Sequence, residues 1–303
     1  MEAGKFEGFN SWTPLGFVGW LQADQADLSL ESGTVMTDFT ALKLKHRATW
    51  ASGNYDQIAQ GIRAVADHVV RSAGIRAGER VLDVACGTGN TALMARARGA
   101  AVTGLDLTPE LLAVARERAS QEGYDDIAWQ EGDAEALPFA DGAFDVVVSS
   151  CGLMFAPDQQ KVANEVARVT RRGGRIAIQA WTREGGVGQM FQVTGAYVPP
   201  PAGVPSPFDW GDELKAKSLL GASFRDHQFE RYDCPEFADR PEQIADLFIN
   251  RYGPTHRAFH SLPPDKAAAF RADLLDLYRS YVTPADGKVR WGREYIITLA
   301  TRV

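Results

Sequence analysis

The sequence predicts an α/β chain built on a largely parallel sheet, and three observations predict it. Short apolar runs alternate with amphipathic stretches over roughly residues 80 to 182. One of those runs passes straight into a Gly-x-Gly turn. The composition, 45% hydrophobic and 23% charged, is that of a chain able to bury a core.

The apolar runs Val81 to Ala85, Ala100 to Leu105, Ile127 to Gln130, Phe144 to Ser149 and Arg175 to Trp181 read as strands. Between them Thr91 to Arg98, Pro109 to Gln121 and Asp158 to Thr170 carry helical periodicity, with Pro109 at a first helical position behind a Thr108 cap. Strand, helix and strand at this spacing imply right-handed crossovers. Upstream, Ile58, Ile62, Val65, Val69 and Val70 form one helical stripe, and His68, off that stripe, is expected to be solvated. Residues 1–35 show no sustained period and read as a loosely ordered arm, although Trp12, Phe17 and Trp20 suit packing on a core or a partner.

Past Trp181 the pattern weakens. Pro199 to Pro207 reads as a loop, followed by a helix near Glu213 to Leu220 and a strand around His227 to Tyr232. Helices near Pro241 to Arg251 and Pro264 to Tyr281 then precede a final strand, Arg290 to Arg302. The expected organisation is the arm, a core over 36–182 with an N-terminal lid helix, a cap over 183–288 that includes the sixth strand, and a closing strand over 289–303.

Charge and cysteine content exclude several classes. With 32 Lys and Arg against 39 Asp and Glu, the net charge is −7, and no basic cluster exceeds Arg171-Arg172, so nucleic acid is not an expected partner. Cys86, Cys151 and Cys234 lack metal or disulfide spacing. The absence of a signal-like start or a long apolar run makes a cytoplasmic protein without a membrane span the expectation.

The chemistry concentrates in Val81-Leu82-Asp83-Val84-Ala85-Cys86-Gly87-Thr88-Gly89-Asn90. Glycines there allow backbone angles closed to other residues and a close approach by a ligand. Gly87 to Ala92 also fits a G-x-G-x-x-A dinucleotide fingerprint, so a nicotinamide-dependent oxidoreductase is the rival reading. Asp106, 17 positions after Gly89, ends the second strand, where a carboxylate can accept two ribose hydroxyls. Gly132-Asp133-Ala134-Glu135 follows the third strand, and Ser149-Ser150-Cys151-Gly152 ends the fourth.

Taken in order, these motifs resemble the class I S-adenosylmethionine-dependent methyltransferases, most closely the ubiquinone and menaquinone biosynthesis branch. The resemblance implies a Rossmann-like seven-stranded mixed sheet, its last strand antiparallel, with helices on both faces and a helical cap. It also implies S-adenosyl-L-methionine as cofactor. Asp83, Gly87, Thr88 and Gly89 would surround its methionine part, Asp106 its ribose, Leu107 the adenine face, and Asp133 and Ala134 the adenine edge. Ser150 matches the family serine.

The expected acceptor is a small phenol, enol, quinol or amine. Trp50, Tyr55, Met154, Trp181 and Tyr252 are candidates to contact it, with Met190, Phe208 and Trp210 as further apolar lining. DNA amine methylation is disfavoured because no Asn or Asp followed by Pro-Pro ends the fourth strand. Methyl transfer needs no covalent intermediate, so Cys86 and Cys151 read as packing residues. His46, His227, His256 and His260 could serve as bases, yet none lies in a motif, and no catalytic residue is assigned. His256 and His260, spaced i, i+4, have no third ligand, so no metal is expected. A non-catalytic cofactor-binding module remains a third reading, and a homodimer is left open.

Overall fold

The computed structural model describes residues 39–303, so the expectations for the arm at 1–35 lie outside the described residues. Its centre is a seven-stranded sheet in the order β3-β2-β1-β4-β5-β9-β6. β1 (Arg80–Val84), β2 (Ala101–Asp106), β3 (Ala128–Glu131), β4 (Phe144–Ser150) and β5 (Thr170–Trp181) are parallel. β9 (Glu294–Arg302) runs antiparallel between β5 and β6 (Phe224–Asp233). This is the mixed sheet of the class I methyltransferase fold.

The central strands β1 and β4 are near-continuous apolar runs because both their faces are covered, whereas β3, at the sheet edge, is mostly exposed. Val81, Leu82, Val146, Val147 and Val148 have no exposed surface. α4 (Asn90–Ala97), α5 (Pro109–Gln121) and α6 (Gln159–Val169) supply the crossovers. The chain moves outward from β1 to β2 and β3 and then returns to β4 on the other side. That reversal opens a crevice at the carboxyl ends of β1 and β4, where open α/β sheets bind ligands.

Several elements depart from the sequence expectations. The stripe from Ile58 to Val70 is buried as predicted, but it belongs to two helices, α2 (Tyr55–Gln60) and α3 (Arg63–Ser72), broken at Gly61-Ile62. His68 is not solvated: it is half-buried, its Nδ1 is 2.9 Å from the Tyr295 hydroxyl, and its ring lies against Tyr232. The cause is the sheet edge, since β6 and β9 bring both tyrosines under the flank of α3. The expected final strand is also two. β8 (Val289–Trp291) pairs with β7 (Glu236–Ala238) in a separate ribbon, and the chain breaks at Gly292-Arg293 before β9.

The segment after β5 holds two helices that the sequence did not announce. α7 (Gly186–Tyr197) opens on glycines, because a Cβ on Gly186 would stand 2.1 Å from the Trp291 indole nitrogen. α10 (Gly253–Ser261) begins Gly-Pro, which resembles a turn in sequence and serves here as a helix start. With α9 (Pro241–Arg251) and α11 (Pro264–Arg279), they form a helical cluster that meets α1 (Thr40–Trp50) through α10, while α8 (Glu213–Leu220) packs on the sheet. Among the described residues, no helix is long and apolar enough to cross a membrane.

Candidate active site

The site begins with strained backbone. Ala85 and Cys151, the residues after β1 and β4, both take positive φ, 53° and 59°, and Gly87 and Gly89 take 54° and 87°. Such angles in non-glycine residues concentrate where function requires an over-determined loop. Here β4 turns away against β1 so closely that a Cβ on Gly152 would lie 2.2 Å from the Ala85 carbonyl oxygen. The Ser149 hydroxyl ties the two strands by donating to the Val84 carbonyl at 2.7 Å.

The space left by these turns is a cavity of about 950 Å³, counted to its open mouth. Gly87, Thr88, Asp106, Leu107, Asp133, Ala134 and Ser150 all line it, so seven of the nine residues expected to hold a cofactor converge. Asp83 and Gly89 lie behind that wall. A Cβ on Gly89 would meet the Trp129 ring at 2.8 Å, so this glycine makes room for a tryptophan.

Asp106 is buried, and its two carboxylate oxygens accept the Gly87 and Thr108 N–H groups, each at 2.8 Å. The side chain thereby pins the glycine turn to the end of β2. Burial raises its pKa, and those N–H bonds temper the rise. Asp83 is harder to satisfy. Only 1% exposed, it leaves both carboxylate oxygens without a hydrogen-bond partner. Burial pushes its pKa well up, the Asp106 charge adds to that, and the Ala92 N–H tempers it without reaching hydrogen-bond geometry.

Arg118, which the sequence reading missed, braces the same turn from α5. Its Nη1 donates to the Thr88 carbonyl at 2.7 Å and its Nη2 to the Asn90 side chain at 2.8 Å. The signal was present, because Arg118 continues the buried stripe Leu111, Ala115 and Ala119 of α5 where an apolar residue would be routine.

At the far end of the cavity Asp133 accepts the Glu135 N–H at 2.9 Å and pairs with Lys43 Nζ at 2.7 Å; Lys43 also pairs with Glu135. Burial alone would lower the Lys43 pKa, but the bonds to Asp133 and Glu135 prevail and raise it. Lys43, His46 and Trp50 make one stripe of α1 along the cavity, although that helix has no fully buried residue. Burial lowers the His46 pKa, keeping the imidazole neutral at neutral pH.

A second, smaller and narrower space adjoins the first, about 370 Å³ when counted together with the open solvent at its mouth. Trp50, Tyr55, Ile62, Cys151 and Phe155 line both rooms, and Trp181, Met190, Phe248, Tyr252 and Arg293 are among the residues lining only the inner one. Trp50 stands edge-on to Tyr55, Phe155 and Tyr252, with ring centroids 5.3, 5.0 and 5.7 Å away. Four of the five residues expected to meet an acceptor are thus in one place. Met154 is not: it is buried in the core and lines neither room, as the 3-10 turn Leu153–Phe155 points it inward and Phe155 outward. Phe208 and Trp210 are also buried outside both rooms.

The chamber contains no ready base. Among the described residues, no carboxylate or imidazole lines it. Burial drives the Tyr55 and Tyr252 hydroxyls well up, and the Cys151 thiol, which donates to the Gln179 side chain at 2.9 Å, to about 12. His227 is on β6; His256 and His260 are on α10, His256 partly buried with its Nδ1 3.0 Å from the Ile249 carbonyl oxygen and His260 exposed. None of the three lines either room.

A sheet of this order with a glycine turn and acidic strand ends at its switch point defines a methyltransferase of class I, and the comparisons agree. A family model described as a methyltransferase domain matches residues 82–178. The chain belongs to the class I S-adenosylmethionine-dependent methyltransferases and is an enzyme of that kind. It is 41% identical over 272 residues to a Mycobacterium tuberculosis protein named only as uncharacterized protein Rv1403c, covering 85% of this chain and 94% of that one. Over 105 residues it is 45% identical to a demethylmenaquinone methyltransferase of Thermus thermophilus, 34% of this chain and 47% of that one. The crystal structure of the Bacillus YcgJ protein shares the fold with a TM-score of 0.54 at 21% identity, covering 78% and 97% of the two chains.

Proposed function

We propose that this enzyme methylates a small aromatic or enolic molecule that enters the inner chamber while S-adenosyl-L-methionine occupies the larger cavity. The observation carrying this reading is the shared wall of Trp50, Tyr55, Ile62, Cys151 and Phe155, which sets an acceptor room directly against a cofactor room. The residues suit the cofactor on three counts. Gly87 leaves open a surface that any side chain would narrow, Asp106 ends β2 at the ribose position, and the unpartnered Asp83 carboxyl lies behind the turn where a cationic amine would compensate it.

When bound, S-adenosylmethionine supplies an electrophilic methyl carbon on a sulfonium. The protein's own part is placement and dryness. Trp50, Tyr55 and Phe155 hold an acceptor ring at the shared wall, at a separation from which attack can occur, about 3–3.5 Å between reacting atoms. The lid helix α1, clasped by Lys43 to Asp133 and Glu135, keeps water out. The Tyr55 and Tyr252 hydroxyls stay protonated and can donate to an acceptor oxygen but cannot remove its proton. Among the described residues the chamber itself holds no base, which favours a phenol, enol or quinol, whose hydroxyl can ionise by itself, over an ammonium group that would depend on the His46 imidazole of the larger cavity. In this reading the cap over 183–288 selects the acceptor, and the core over 36–182 holds the cofactor.

Titration calorimetry with S-adenosylmethionine and with nicotinamide dinucleotide, followed by S-adenosylhomocysteine release over a panel of phenols, enols, quinols and amines, tests it. Binding of the first and turnover on a hydroxyl-bearing member are expected. Preference for the dinucleotide would overturn the cofactor reading, cofactor binding without turnover would favour a regulatory module, and turnover confined to amines would overturn the acceptor class.

A further inference from the structure

Among the described residues, the inner chamber has one charged residue in its lining. Arg293, at the break between β8 and β9, is only 2% exposed, yet it faces a room otherwise made of aromatic, aliphatic and thiol groups. Three of its five N–H donors are engaged. Nε donates to the Cys234 carbonyl at 2.8 Å, and Nη2 is shared among the Gly61 carbonyl at 3.3 Å, the Cys234 sulfur and Glu236 at 3.0 Å. Among the described residues, Nη1 has no hydrogen-bond partner, and it is not one of the side-chain nitrogens sealed from all space. A guanidinium carries two N–H groups on that nitrogen. In an apolar room such donors require an acceptor atom, and one that carries negative charge satisfies them best.

Its position decides what kind of acceptor atom. Arg293 lines only the inner room, whereas the wall that both rooms share is Trp50, Tyr55, Ile62, Cys151 and Phe155. The guanidinium is therefore not a neighbour of the methyl donor, and a group bound to it is not the atom that receives the methyl.

We propose that Arg293 is a specificity residue that anchors a carboxylate, or a comparably ionised oxygen, at the end of the acceptor remote from the methylated atom. The substrate class is then an aromatic or enolic acid whose hydroxyl points toward the cofactor room. Glu236 takes part of the arginine's charge from the solvent side, so recognition is end-on through Nη1 and not through a two-pronged fork. The proposal rests on the two-room reading of the site.

Matched probes test it in enzyme saturated with S-adenosylhomocysteine: benzoate against benzamide, and 1-naphthoate against 1-naphthamide, followed by calorimetry or tryptophan fluorescence. The anion of at least one pair is expected to bind about tenfold tighter or better. That preference should vanish in Arg293→Met and persist in reduced form in Arg293→Lys, while affinity for the neutral amide and for S-adenosylhomocysteine changes by less than about threefold. A residue that merely staples Gly61 and Cys234 together would alter melting temperature without altering the charge preference. Equal affinity within both pairs in the unaltered enzyme, failure of every probe to bind, or a preference that survives Arg293→Met overturns the proposal. Should Arg293→Met not fold, loss of the preference in Arg293→Lys together with loss of amide binding overturns it equally. Failure of S-adenosylhomocysteine to bind at the outset would instead remove the methyl-transfer site itself.

Discussion

Asp106→Asn tests the carboxylate that pins the glycine turn and that we assign to the cofactor ribose. In the native protein each of its oxygens accepts a backbone N–H at 2.8 Å, from Gly87 and from Thr108. An amide of the same shape can accept only one of them, and its NH2 group confronts the other donor. The lost charge-assisted bond is worth about 1.5–3 kcal/mol, and an unpaired N–H costs about 1–3 kcal/mol more. Part of this is returned, because the amide carries no charge to bury and burial is what raises the Asp106 pKa. A net loss of about 1–3 kcal/mol corresponds to a fall in Tm of roughly 2–10 °C for a chain of this size. Cofactor affinity should fall further, about tenfold or more, because the glycine turn loosens as the ribose loses its acceptor. Differential scanning fluorimetry gives the first quantity and titration calorimetry with S-adenosylmethionine the second. A folded Asp106→Asn variant with unchanged Tm and unchanged affinity would refute both the pinning of the turn and the ribose assignment.

Three further outcomes are expected. Gly87→Val should fold but lose cofactor binding in calorimetry, since at φ 54° a non-glycine residue carries about 1–2 kcal/mol of strain and its Cβ would stand 3.3 Å from the Tyr55 ring; normal turnover would contradict this. Asp83, with its pKa raised by burial, binds its proton more tightly in the folded than in the unfolded chain, so its contribution to stability is full below the ordinary carboxylate pKa and is lost as pH rises through the folded value. A cationic ligand favours the ionised form, so cofactor affinity should rise with pH and binding at mildly acidic pH should release protons; calorimetry in two buffers of different ionisation enthalpy should show this release, and Asp83→Asn should abolish it. Trp181→Phe and Tyr252→Phe should alter acceptor KM or kcat while cofactor affinity stays within about threefold, because both line the inner room alone. Phenylalanine serves better than alanine there, since both side chains are buried and truncating such an aromatic costs about 3–5 kcal/mol; lost cofactor binding with normal acceptor kinetics would dissolve the division between rooms.

The sequence by itself determined the central sheet and most of the residues that gather around the cavity at its strand ends. Period and spacing are local, so the run from Val81 to Trp181 declared its strands, and Gly87, Asp106, Asp133 and Ser150 could be singled out because each ends its own strand or follows it within three residues. Tertiary structure decided how the second chamber is walled and what supports the turn. Arg118 and Arg293 come to the site from α5 and from a strand break more than 200 residues beyond Asp83, and Lys43 comes from a lid helix with no fully buried residue to mark it. Met154 and Phe155 are adjacent and similar in hydrophobicity, yet only the turn at Leu153–Phe155 decided that one enters the core and the other the wall. His68 likewise acquired its partners only when β6 and β9 closed beneath α3. Contacts made across long stretches of chain leave no periodic trace, because the residues that meet there are selected by shape and charge at one place and not by repetition along a face.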